Sequence, residues 1–279
     1  MRLATIIEHG HELLVAVAAD RVLHMEPPIS MKALAAAAGT EALDDIRIQL
    51  TRLAPDSHRW IDRVQWAPAV PDPGAIFTIG ANYRSSGEPE APQPERPTVL
   101  AKLPSSVAGH GATVGWDRSL TANVDGECEL GVVIGRSAFA VAPEDAMEHV
   151  FGYTIVNDMN SVDPWLDGDQ WLLGKSMPGF CPVGPWVVTA DELDPADLRL
   201  GCTINGEPIQ DGRTADMRFS IAEIVAYLSR HVPLRPGDLI ATGTPARLAA
   251  PPGPDRHLQP GDTVTAWIEG IGELTTTIA

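Results

Sequence analysis

Short apolar runs separated by Gly, Pro and Asp dominate this chain, and few segments carry a helical period. Residues 2–7 and 13–18 are largely apolar and flank Glu8-His9-Gly10-His11-Glu12, with Gly10 as the turn residue. They predict a hairpin, continued by Arg21-Val22-Leu23-His24-Met25. Ser30 then stands as an N-cap before the helix-forming run Met31 to Ala38, and a second helix is expected over 41–53, with Ile46, Leu50 and Leu53 on one face. The Pro-rich stretch Trp66 to Gly74 reads as a linker. It divides a small α+β N-terminal domain, 1–70, from a larger β-rich domain, 71–279. Beyond it, Ala75 to Gly80 reads as a buried strand, and further strands are expected at 98–102, 129–135, 152–157, 184–189, 198–204, 238–242 and 263–268. Helices are expected at 143–150 and 220–230, and residues 85–97 form a Pro- and Glu-rich loop. Many strands with few helices predict an α+β, mainly β class, with a folded-over antiparallel or mixed sheet.

Length and composition narrow the function. A chain of 279 residues with 44% hydrophobic content buries a real core. No apolar run reaches the ~20 residues that cross a bilayer, and the N-terminus meets a charge too soon for a secretory signal. Three cysteines without metal-ligand spacing fit reduced thiols, so the expected location is cytoplasmic. A formal net charge of −17 argues against nucleic acid or a membrane surface as partner and leaves a small-molecule substrate.

Candidate chemistry concentrates in Val124-Asp125-Gly126-Glu127-Cys128-Glu129-Leu130, which leads into an apolar strand. Carboxylates at i and i+2 on a strand share a face, so Glu127 and Glu129 converge. Two like charges at the edge of a core are costly unless a cation neutralises them. The apolar run Tyr153 to Val156 ends in Asn157-Asp158 and supplies a third carboxylate. Three oxygen ligands with no clustered His or Cys suit a hard ion, Mg2+ or Mn2+. The alternative is a solvated strand edge at Glu127 and Glu129, with Asp158 capping a turn.

A set of further motifs, in order, resembles the fumarylacetoacetate hydrolase family. They are Gly80-Ala81-Asn82-Tyr83-Arg84, the segments 125–135 and 152–158, Gly174-Lys175-Ser176-Met177, and Phe180 to Trp186. Asn205-Gly206-Glu207, Pro236-Gly237-Asp238, Thr242-Gly243-Thr244-Pro245 and Glu269-Gly270-Ile271-Gly272 complete it. The resemblance covers roughly residues 75–279. It implies a mixed β-roll with the site in its mouth, a homodimer, and Mg2+ or Mn2+ held by Glu127, Glu129 and Asp158. It also implies chemistry on 2-oxo acids and 1,3-dicarbonyls, by C–C hydrolysis, decarboxylation, hydration or isomerisation. A chelated substrate would react through an enolate stabilised by the metal as Lewis acid. Lys175 matches a lysine that adds positive charge near the developing oxyanion. Tyr83, Arg84 and Thr244 fall in motifs expected to contact substrate.

The chain departs from that family in its base and in its pocket. Hydrolytic members carry a His two residues after the Asn-Tyr-Arg triplet; here Ser86 stands there, and a hydroxyl is too weak a base to activate water. Glu88 or Glu90 within the loop, or His110 between two glycines, is the candidate replacement. Val162 and Trp165 occupy places where the family has Arg and Gln, which predicts an apolar wall and a larger, less polar substrate. Three readings therefore stand: a hydrolase or lyase, a non-hydrolytic isomerase, decarboxylase or cyclase, and a catalytically silent binding homologue.

Overall fold

The computed structural model describes residues 1–18, 21–25, 27–37, 42–52, 59–84, 94–163, 170–248 and 257–279. In chain order its longer strands are β1 (Arg2–Glu8), β2 (His11–Ala18), β3 (Arg21–His24), β4 (Ile76–Gly80), β5 (Thr98–Lys102), β6 (Ala112–Val114) and β7 (Cys128–Ile134). They continue as β8 (Val150–Asn157), β9 (Cys181–Thr189), β10 (Arg199–Ile204), β11 (Glu207–Arg213), β12 (Leu239–Ala241), β13 (Thr263–Ile268) and β14 (Gly272–Ile278). The described helices are α1 (Met31–Ala36), α2 (Ala42–Arg52), α3 (Trp171–Lys175) and α4 (Ile221–His231). None of them is long and apolar enough to cross a membrane.

Local chemistry accounts for several of these elements. His9 and Gly10 both take positive φ, 52° and 79°, which is the turn that joins two strands through two residues. It sets the β1–β2 register at Glu8↔His11. Ser30 caps α1 by accepting from the Ala33 N–H. Ser220 and Glu223 form a reciprocal capping box on α4, whose buried stripe holds the expected Ile221, Ile224, Val225 and Leu228.

The main sheet runs β3-β2-β1-β9-β8-β7-β12-β4-β5, antiparallel except for the parallel β12–β4 pair. A second sheet runs β11-β10-β13-β14-β6. One core lies between them, with Leu130, Val132 and Ile155 on one side and Leu200, Val264 and Leu274 on the other. A second core covers the opposite face of the main sheet and includes Leu34 of α1 with Val133, Val156 and Val183. Strands β7 and β8 are thus buried on both faces, which explains their unbroken apolar runs.

Across the expected boundary between 1–70 and 71–279 the sheet is continuous, because β1 pairs with β9 at Arg2↔Val188. The Pro-rich stretch read as a linker is packed: Gln65–Trp66 pairs with β1, and Ala67, Ala69 and Val70 are buried. The helix expected at 143–150 is a short 3-10 turn, Ala146–His149, with β8 beginning at Val150. Three of these strands were not expected from the sequence, and the first, β6, is only three residues long. β11 is an edge strand with only Gln210 buried, and β14 is rich in Thr.

The close packing of β8 on β9 makes one prediction. A Cβ at Gly152 would stand 2.3 Å from the Val188 carbonyl oxygen, so a strand must move to admit it. Gly152→Ala is expected to cost about 1–3 kcal/mol, read from urea unfolding; a loss indistinguishable from zero would contradict the packing.

Candidate active site

Glu127 precedes β7 by one residue, and Glu129 lies one residue inside it. The Cys128↔Asn157 pairing brings the end of β8 alongside, so Asp158 follows directly opposite Glu127. The Asp158 N–H donates to the Glu127 carbonyl at 2.9 Å, and the Glu127 N–H donates to Asn157 Oδ1 at 3.0 Å. One carboxylate oxygen from each of Glu127, Glu129 and Asp158 lies within 4.8 Å of the other two. Glu129 and Asp158 are 2% and 1% exposed. The sequence-predicted trio is therefore one cluster.

A turn on the opposite side holds these groups in place. The Gly243 N–H donates to Glu129 Oε2 at 2.8 Å. Gly243 has φ +96°, and a Cβ there would meet Asn82 Cβ at 2.7 Å and the Ile79 carbonyl at 2.8 Å, so only glycine brings that N–H so close. The Thr244 hydroxyl donates to the Cys128 carbonyl and accepts from Gln210 Nε2, both at 2.8 Å. Gln210 Oε1 in turn accepts from the Cys128 N–H at 2.9 Å.

Two buried ammonium groups flank Asp158. Lys175 Nζ donates to Oδ2 at 2.6 Å, while Lys102 Nζ donates to Oδ1 at 2.5 Å and to the Met159 carbonyl at 2.8 Å. Lys102 has no place in the sequence-predicted site. It ends β5, where nothing in Thr98-Val99-Leu100-Ala101-Lys102 distinguishes it from an exposed lysine on an edge strand.

These contacts set the charge state. Burial pushes Glu127 up to about 7, with Lys175 opposing and Asp158 adding to the rise. Burial, reinforced by Asp158 and Glu127, holds Glu129 well above the usual carboxylate range. For Asp158 burial acts upward too, but Lys102 and Lys175 outweigh it and hold that carboxyl below its ordinary value. Burial works against the Lys175 ammonium, yet Asp158 and Glu127 win and raise its pKa. Among the described residues three carboxylates thus face two ammonium groups, and protons on Glu127 and Glu129 offset the excess negative charge.

The donor set fits a hard divalent ion. Three carboxylate oxygens within 4.8 Å of one another, with no His or Cys among them, are the oxygen ligands that such an ion takes. Protons and ion would compete for the same oxygens. Since Glu127 and Glu129 titrate above the ordinary value of 4.5 in the folded chain, ionising them destabilises the metal-free fold as pH rises from about 4.5 toward 7 and beyond. Mn2+ is expected to raise the melting temperature more at pH 8 than at pH 5.5. Equal shifts at both pH values, in paired thermal-denaturation scans, would contradict this competition.

A cavity of about 500 Å3 opens in front of the cluster. Glu127, Glu129, Asp158, Lys175, Thr244 and Val162 all line it, so these predicted residues are brought together. Tyr83 and Arg84 are not among its lining residues. Asn82 ties this segment to the Phe219 and Thr242 carbonyls, which leaves Ile79 to Ala81 facing the cavity, Tyr83 buried, and Arg84 exposed. His110 also stands apart. Its ring meets Trp66 edge-on at 5.7 Å, its Nδ1 accepts from the Thr275 N–H, and burial lowers its pKa. Glu88, Glu90 and Trp165 lie outside the described residues. Val162 lines the cavity together with Trp171, which was not expected there, but Gln210 and Arg247 also line it, so an amide and a cation enter from other elements.

With this geometry in view, residues 75–279 match the family model described as fumarylacetoacetate (FAA) hydrolase C-terminal. An uncharacterized protein of Staphylococcus aureus (strain USA300) is 35% identical over 272 residues, which are 97% of this chain and 87% of that protein. Fumarylacetoacetate hydrolase from psychrophilic Exiguobacterium antarcticum superposes with a TM-score of 0.87 at 31% identity, covering 100% of this chain and 99% of that one. Maleylpyruvate hydrolase from Sphingobium sp. SYK-6, in complex with manganese(II) ion and pyruvate, gives 0.82 at 27% identity, with coverage of 100% and 99%. For 5-carboxymethyl-2-hydroxymuconate delta-isomerase from Mycobacterium smegmatis the values are 0.79 and 28%, with coverage of 100% and 98%. The mainly β architecture is that of these structures, and the chain belongs to the fumarylacetoacetate hydrolase family.

Proposed function

We propose that this chain is a divalent-metal-dependent enzyme acting on a 1,3-dicarbonyl or 2-oxo acid, of the C–C hydrolase or lyase type. The observation that carries the reading is the convergence of Glu127, Glu129, Asp158 and Lys175 on one cavity. The Sphingobium maleylpyruvate hydrolase, with manganese and a 2-oxo acid in its structure, supports it. Glu127, Glu129 and Asp158 would hold Mg2+ or Mn2+, and the ion when bound supplies Lewis acidity toward two substrate oxygens. Lys175 places a permanent ammonium beside the oxygen that becomes negative as the adjacent carbon loses its proton or its acyl group. The Gly243 N–H and Lys102 keep Glu129 and Asp158 oriented, so the charge around the substrate is in position before reaction.

A second reading is isomerisation without hydrolysis. It is favoured by Ser86 in the position of the water-activating His, and by the Mycobacterium smegmatis isomerase among the similar structures. One experiment separates the two. Acylpyruvates are incubated in D2O with Mg2+ or Mn2+ and with chelator. Metal-dependent release of a free carboxylic acid identifies the hydrolase. Metal-dependent proton exchange at C3 without acid release identifies the isomerase. Neither process above the chelator control would overturn the enzymatic reading.

A further inference from the structure

Gln210 is a buried amide on a strand that is otherwise exposed or half-buried: within β11 it alone is buried, at 3% exposure. The β10–β11 register shifts between Cys202 and Thr203, whose partners are Gln210 and Pro208, so Ile209 is an extra residue there. A bulge of this kind re-aims the side chain beside it. The Gln210 amide reaches Cys128, the residue between Glu127 and Glu129. Strand β12 pairs with β7 from Gly131 to Val133, and at Cys128 side chains take the place of that neighbouring strand. Gln210 Oε1 accepts from the Cys128 N–H, while Nε2 donates to the Pro245 carbonyl at 3.0 Å and to Thr244 Oγ1 at 2.8 Å. Backbone partners of opposite polarity thus fix which end of the amide is nitrogen. The Thr244 hydroxyl gives its one proton to the Cys128 carbonyl, which can only accept.

We propose that Gln210 and the Cys128 carbonyl make Thr244 an acceptor toward the cavity, so that the substrate group it meets carries a proton, as the enol hydroxyl of a 1,3-dicarbonyl does, and is not a carboxylate. This rests on the reading that the cavity holds such a substrate. A threonine hydroxyl has one O–H and two lone pairs. Here the proton and one lone pair are committed, and Thr244 is half-buried on the cavity wall, so one lone pair remains for a ligand. A donor placed there completes the bonds of the oxygen. A carboxylate placed there meets a lone pair, and turning the hydroxyl toward it would leave the Cys128 carbonyl without that donor, a loss that is costly for a buried group. Both N–H groups of Gln210 are taken, so it acts through Thr244 and is a positioning residue.

The test is calorimetric titration of the protein, with and without Mn2+, using planar probes that differ at one position. Pyruvate carries a methyl there, oxamate an N–H donor, and oxalate an acceptor oxygen. The parent protein is expected to bind oxamate about tenfold tighter than pyruvate. Thr244→Val should remove that advantage while oxalate binds as well as before or better. Thr244→Ser, which keeps the hydroxyl, should keep the order seen in the parent, and Gln210→Met should move the oxamate advantage toward that of Thr244→Val. A merely structural role for Gln210 would weaken the probes alike. Equal affinity of the parent for oxamate and pyruvate, an oxamate advantage that survives Thr244→Val, weakening of oxalate by that substitution, uniform weakening by Gln210→Met, or no binding of any probe overturns the proposal. Since the parent ratio is itself decisive, a variant that misfolds does not rescue it. Mn2+-dependent binding of the probes without an oxamate preference would overturn this proposal and leave the metal reading standing. A Thr244-dependent oxamate preference in a protein that binds no Mn2+ would do the reverse.

Discussion

Lys102→Met is expected to melt well below the parent protein, with a gap that widens as pH rises from 5.5 to 8. The Lys102 side chain is fully buried and makes two strong contacts, to Asp158 and to the Met159 carbonyl. Without it, Lys175 is the remaining buried ammonium against three carboxylates among the described residues, and the Met159 carbonyl loses a donor. Breaking a buried pair from one side leaves the other charge uncompensated, at a cost of about 3–5 kcal/mol. For a chain of this size that is a fall of roughly 10 °C. The pH dependence follows from the same charges. At pH 5.5 protons on Glu127 and Glu129 relieve the excess negative charge, whereas at pH 8 that relief is withdrawn. Saturating Mn2+ should recover part of the loss. Thermal denaturation at the two pH values, with and without Mn2+, checks all three statements. A variant as stable as the parent at pH 8 would show that Lys102 does not neutralise the cluster.

Lys175→Met is expected to reduce kcat by about 10²–10³-fold, the usual effect of removing one preorganised group that stabilises developing negative charge. Unlike Lys102, Lys175 faces the cavity. Removing its charge lowers the local positive potential, so Mn2+ affinity should be retained or increased. That pairing separates a catalytic role from a structural one: turnover falls while the metal still binds. Steady-state kinetics on whichever acylpyruvate is turned over, alongside Mn2+ titration of the same preparation, supplies both values. Loss of Mn2+ binding together with activity would mean that Lys175 serves the ligands and not the substrate.

What the sequence revealed and what it hid divide along a physical line. Glu127 and Glu129 were legible because strand side chains alternate with period two. Asp158 was legible because an apolar run ended beside it, and antiparallel pairing of neighbouring strands delivered it. Lys175 carried no periodic signal and stood out only through the ordered motifs. Lys102 had neither: its role depends on parallel pairing between β4 and β12 and on a strand order that no local pattern encodes. The wall of the cavity was legible only in part for the same reason. Val162 is where it was expected, but Arg247 and Gln210 come from segments far along the chain. The glycines around His110 illustrate a different limit. A Cβ at Gly109 would lie 2.7 Å from the Trp66 carbonyl oxygen, so that glycine serves close chain packing and not the approach of a ligand. The expected helix at 143–150 failed because the apolar end of its pattern belongs to β8.

The central claim is that Glu127, Glu129 and Asp158 hold a divalent ion. Calorimetric titration of the purified protein with Mn2+ at pH 8, beside Glu127→Ala and Glu129→Ala, tests it directly. One saturable Mn2+ site per chain that is lost or severely weakened in both variants is the predicted result. Absence of binding to the parent protein, or binding that the two substitutions leave unchanged, would contradict it.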